Sequence, residues 1–104
     1  MLACGAAVPE ILPFAFPSAV QEGQLLQVAC TVTKGDDPVT IQWYKDDQPL
    51  QSSPAFVINA VDSRLNFLIL RGVSFEHTGV YSCVAVNSAG RARVQAELRV
   101  QGRP

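Results

Sequence analysis

Few groups in this sequence could do chemistry. They are three thiols (Cys4, Cys30 and Cys83), one imidazole (His77) and two adjacent carboxylate pairs, Asp36-Asp37 and Asp46-Asp47. A hydrolytic site needs a nucleophile, a base, an orienting acid and oxyanion donors that converge. His77 is the single histidine, so any such site must use it. Its neighbours are Ser74, Glu76 and Thr78, with no glycine-rich nucleophile turn. The segment reads as a strand corner with His77 half exposed, and a pH switch is the other chemistry open to an imidazole there. Calcium requires several oxygen ligands at fixed spacing. Neither aspartate pair has companion acids, and both fall where turns are expected. The residue types therefore argue against an enzyme and against a bound metal or other cofactor.

The elements that must position these groups are strands. Apolar and polar residues alternate along most of the chain, and no helical stripe of useful length occurs. Leu25 to Thr33 reads as one strand, with Leu26, Val28, Cys30 and Val32 on one face. Val39 to Lys45 is the next and puts Ile41 and Trp43 together. Asp46-Asp47-Gln48-Pro49 reads as a turn, with proline fixing φ, and Gln51-Ser52-Ser53-Pro54 as a polar break. Phe56 to Ala60 and Leu65 to Leu70 are short strands, the second with Leu68 and Leu70 in phase. From the corner at Val73–Gly79 runs a strand in which Tyr81, Cys83 and Ala85 point inward. Asn87-Ser88-Ala89-Gly90 has the residues of a tight hairpin turn. The last strand alternates Ala92, Val94, Ala96, Leu98 and Val100 with polar or charged residues. Short strands at this spacing, separated by turn signals, predict an all-β sandwich.

The start of the chain differs. Pro9-Glu-Ile-Leu-Pro-Phe-Ala-Phe-Pro17 is apolar but broken by Pro13 and ended by Pro17. Proline cannot donate to a ladder, so this must be an edge strand that switches direction or sheet. Phe14 and Phe16 are expected to plug the open end of the sandwich. Residues 1–7 carry no charge, and Gly5 and Ala7 are small enough for a leader cleavage site. They read as a signal-peptide remnant or a cloning scar, with an intermolecular disulfide through Cys4 as the sharper alternative. Residues 8–100 form the domain, and 101–104 read as a linker to a following one.

At 104 residues the chain has the length of one domain. A net charge of −1 gives no reason to expect nucleic acid or direct contact with an anionic membrane. No apolar run approaches the ~18 residues of a membrane span. No Asn-x-Ser/Thr sequon occurs, so both faces are expected to be free of N-glycan.

Several spacings are more specific. Trp43 follows Cys30 by 13 residues, and Tyr81 precedes Cys83 by two. With Leu68-x-Leu70, Val73, Gly79-x-Tyr81-x-Cys83 and Ala85-Val-Asn87-x-x-Gly90, they resemble an I-set immunoglobulin domain. That resemblance implies a two-sheet Greek-key sandwich with one inter-sheet disulfide, Cys30–Cys83. It also implies core positions for Trp43, Tyr81, Leu68 and Leu70, and an oxidising compartment. Closing a loop of that length is worth about 4 kcal/mol in the chain-entropy account. The Pro13–Pro17 segment, the Gly23 turn and Thr33–Pro38 followed by Ile41-x-Trp43 resemble, more narrowly, domains of the Down syndrome cell adhesion molecule (Dscam) family. That resemblance implies a membrane-anchored, cell-surface adhesion receptor that recognises itself, often in neurons. It leaves open a variable arthropod form. His77 departs from the family pattern, which has an acidic residue there paired with a basic one. The corner must then rest on the Tyr81 hydroxyl and on packing.

Strand phase also sorts inside from outside. With Leu68 and Leu70 inward, Phe67 and Ile69 point out, where a solvated sheet face should be polar. Flanked by Leu25 and Val57, they predict an exposed apolar patch of the kind that marks interaction sites. A one-residue slip would swap the faces. In the immunoglobulin lettering this is the ABED sheet, which Dscam-like recognition domains use for homophilic contact. The expectation is therefore an antiparallel two-fold dimer with strand E (Leu65 to Leu70) crossing strand E, burying roughly 600–900 Å² per partner. The opposite sheet, with Gln42, Tyr44, Ser82, Val84, Arg91 and Arg93, is a second and more basic candidate. A heterophilic immune-receptor domain and a structural spacer are the alternative functions.

Overall fold

Alternation sets the architecture. The computed structural model describes residues 7–101. Cys4 lies outside the described residues, as do most of the expected leader or scar and of the expected linker. One sheet has the order β1 (Glu10–Ile11), β3 (Leu26–Lys34), β7 (Leu65–Leu70), β6 (Phe56–Asp62). The other has the order β5 (Gln48–Pro49), β4 (Thr40–Lys45), β8 (Gly79–Asn87), β9 (Gly90–Leu98). Neighbours within both sheets are antiparallel. The fold is the all-β immunoglobulin sandwich. No helix among the described residues is long and apolar enough to cross a membrane.

The core lies where the inner faces meet. Leu26, Val28, Cys30 and Val32 of β3 are buried together with Leu68 and Leu70 of β7. Facing them are Trp43 of β4 and Tyr81, Cys83 and Ala85 of β8. A disulfide between Cys30 and Cys83 ties the sheets, with Cα atoms 6.2 Å apart.

The proline-broken N-terminal segment does switch sheets. β1 pairs with β3, whereas β2 (Val20–Gln21) runs parallel to β10 (Val100–Gln101). Between them the Phe14 ring lies 5.5 Å from Trp43, and the Phe16 ring 5.4 Å from Tyr81. Both phenylalanines are half-buried against the core at this crossing.

Two local readings change. The turn after β4 is only Asp46-Asp47, with φ of 51° and 66°. Positive φ at both central positions is the two-residue hairpin geometry, which aspartate tolerates. Gln48–Pro49 is not turn but the short edge strand β5, where a missing N–H costs little. β6 runs two residues past its expected end, through an irregularity between Ala60 and Asp62. It is also the free edge of its sheet. There the Ile58 N–H donates to Ser52 Oγ at 3.1 Å, and the Phe56 N–H to the Ser53 carbonyl at 3.2 Å.

Candidate binding face

β7 lies between β3 and β6, so its outward residues have neighbours on both sides. Asn66, Leu68 and Leu70 are buried, and Leu65, Phe67 and Ile69 take the opposite phase, half-buried. Ile69 stands beside Gln27 and Val57, and Phe67 beside Ala29 and Asn59. Leu65 stands beside Thr31 and Asp62. Apart from Asp62 at the corner, none of these residues ionises. Over β3, β7 and β6 the result is an uncharged outer patch with a phenylalanine and an isoleucine at its centre, while exposed Glu10 of β1 lies in register with exposed Lys34 at the sheet's edge. Phe67 and Ile69 are less open than the alternation alone suggested, because strands on both sides crowd them. Leu25, at 64% exposure just before β3, extends the apolar surface at one end.

The other sheet is less available than its sequence suggests. Ser82 and Val84 point outward by alternation yet are buried. β8 is interior to its sheet, and the Arg93 guanidinium donates both to Ser82 Oγ at 3.0 Å and to Asp47 at 2.6 Å. The arginine side chain roofs the strand it was expected to accompany. Gln42, Arg91 and Arg93 stay exposed, and Tyr44 is half-buried.

The corner before β8 is built on His77, which is buried rather than half-exposed. A 3-10 turn at Phe75–His77 folds the imidazole inward. Its Nδ1 accepts the Ser74 N–H at 3.0 Å, so the ring proton sits on Nε2, 3.4 Å from the Ala55 carbonyl. The Phe56 ring packs 5.0 Å away. The His77 carbonyl accepts the Tyr81 hydroxyl at 2.6 Å. Burial pushes that phenol well above the usual tyrosine range. Ser74 Oγ lies 3.4 Å from Nδ1, but that nitrogen already accepts a backbone N–H. The imidazole thus anchors the corner. Among the described residues no group of three or more His, Cys, Asp or Glu side chains is placed to hold a metal ion.

Sequence reasoning missed two polar residues that position these elements. The Trp43 indole N–H donates to Asn66 Oδ1 at 3.1 Å within the core. The available signal was a polar residue in the inward phase of β7. Asp46 Oδ1 accepts the Val80 N–H at 2.9 Å, clamping the β4–β5 turn to β8. That hydrogen bond, and the Lys45 ammonium, hold the Asp46 carboxyl below the usual carboxylate range.

The family model for the immunoglobulin I-set domain matches residues 9–100. Cell adhesion molecule DSCAML1 of Homo sapiens is 38% identical over 96 residues, which cover 92% of this chain and 5% of that protein. Cell adhesion molecule Dscam2 of Drosophila melanogaster is 34% identical over 96 residues, with the same coverage. The chain therefore spans about 5% of the length of these curated relatives. A crystal structure of the Dscam1 Ig7 domain, isoform 5, superposes with a TM-score of 0.86 at 34% identity, covering 89% of this chain and 96% of that one. A chimeric titin Z1Z2 structure superposes with a TM-score of 0.82 at 32% identity, covering 95% of this chain and 100% of that one.

Proposed function

This chain belongs to the immunoglobulin I-set family, and on that premise we propose that it is an extracellular recognition domain of a cell-surface adhesion receptor that binds a second copy of itself. Likeness to Dscam cell adhesion molecules across most of the chain supports the adhesion role. The observation that carries homophilic binding is the uncharged outer patch over β3, β7 and β6, with Phe67 and Ile69 at its centre and Val57 and Leu25 around them. An uncharged face with apolar residues at its centre can meet its own copy across a two-fold axis, because the same patch then lies opposite itself. With β7 as the central strand, β7 of one copy crosses β7 of the other antiparallel.

The test is sedimentation equilibrium and cell or bead aggregation with Phe67→Asp and Ile69→Lys. Both side chains point away from the core, so the variants should fold. They should lose self-association and, in mixing experiments with labelled cells, the sorting of like with like. Unchanged self-association in folded variants would remove the face from consideration.

A further inference from the structure

The uncharged face has charges at its rim, and two of them occupy complementary corners. Arg71 follows β7 immediately beyond Ile69 and Leu70. Asp62 ends β6 at the opposite end of the face, paired in register with Leu65. Both residues are exposed. Neither belongs to the four ion pairs among the described residues, which are Lys45–Asp46, Arg64–Asp37, Arg93–Asp47 and Arg99–Glu97. One Asp62 oxygen accepts the Arg64 N–H at 2.7 Å and shapes the β6–β7 turn. Among the described residues the second carboxylate oxygen has no such bond and is available to a partner.

Resting on the homophilic reading, we infer that Arg71 and Asp62 are the specificity pair of the self-contact, each reaching the other residue on the second copy. The geometry follows from the two-fold axis. An antiparallel crossing of β7 on β7 that seats Ile69 over Phe67 of the second copy carries Arg71, two positions further out, over Leu65 of that copy. Asp62 is Leu65's neighbour one strand away, about 4.8 Å laterally, within reach of an arginine side chain. The axis repeats the contact, so two identical ion pairs close the two ends of the apolar patch. Shifting β7 by two residues along its partner breaks both pairs together. The charges therefore set the register of a face that is otherwise nearly featureless, in keeping with the role of electrostatic complementarity in selecting partners and alignment.

Charge reversal tests this in sedimentation equilibrium on the chain as it stands. Arg71→Glu alone and Asp62→Lys alone each place like charges at both ends, and each should weaken self-association by about tenfold or more. Mixing the two variants restores opposite charges at both contacts, so the mixture should form heterodimers near the wild-type affinity. Asp62→Asn keeps an oxygen for the Arg64 N–H and removes only the charge; it should also weaken association. A loss confined to Asp62→Lys would mark a disturbed turn and overturn the assignment of Asp62. Should both reversals self-associate like wild type while Phe67→Asp abolishes dimers, the pair is wrong and the face stands. If Phe67→Asp has no effect, the face itself fails.

Discussion

At the scale of single residues, the most consequential polar contact in the core is Trp43 to Asn66. An indole buried across the sheet interface needs an acceptor for its N–H, because an unpaired buried donor carries the full desolvation penalty. Asn66 supplies it from the inward phase of β7, opposite Cys30 in the register. Asn66→Ala should therefore destabilise the fold by roughly 1–3 kcal/mol, measured by urea unfolding under oxidising conditions. Asn66→Asp, which keeps an acceptor oxygen, should recover part of the loss. The alternation of Leu65 to Leu70 was legible, but its reason for carrying an asparagine inward was not. That depends on which residue faces it across the sandwich, and local pattern does not carry that information. His77 shows the same limit. Its place at the corner could be read, but its burial depends on the 3-10 turn and the Phe56 ring.

At the scale of elements, the inner halves of the strands followed from periodicity. β7 has its expected bounds, and β3 and β4 differ from theirs by a residue at each end or fewer. What periodicity could not reveal is cover from above. Ser82 and Val84 lie in the outward phase of an interior strand, and a long arginine from β9 closes over them. The Asp46 clamp joins elements whose connection was likewise illegible, since its acceptor sits in one turn and its donor at the start of β8. Its folded carboxyl is depressed, so its contribution to stability is fully present above the ordinary value of 3.8 and is lost as pH falls through the lower folded value. Asp46→Asn should be the less stable protein at neutral pH, and the two should converge below that window. Thermal melts from pH 7 to pH 2 check this, and a gap that stays constant down to pH 2 would count against the charge as the cause.

At the scale of the whole molecule, one domain presents two sheets with different surfaces. One has a polar outer side partly roofed by Arg93. The other has an uncharged patch over β3, β7 and β6, bordered by Asp62, Arg71 and the Glu10–Lys34 pairing of β1 with β3. Sequence reasoning found this division through the phase of β7, by taking Leu68 and Leu70 as inward. The edge position of β6 followed only from the sheet order that the family resemblance implies, because edges are a property of sheet order; how that edge is capped was not legible. At that edge Ser52 and Ser53 occupy the N–H groups of Ile58 and Phe56, and the strand ends in an irregularity. Ser52→Ala should leave the unfolding midpoint nearly unchanged, since an exposed hydrogen bond contributes on the order of 1 kcal/mol or less. It should nevertheless raise thioflavin-positive aggregation on prolonged incubation, because an unpaired edge N–H is a template for another chain. A soluble variant indistinguishable from wild type would show the serine to be dispensable. The wider meaning of that capped edge concerns reversibility. On the proposed self-recognition, a domain that meets its own copy must also be able to let go. Copies that touch through side chains on a sheet face can separate again, whereas copies that merge strand to strand into one continuous sheet grow into fibres. Under that proposal, the two serines would keep the attraction between copies on the side of the molecule where it can be undone.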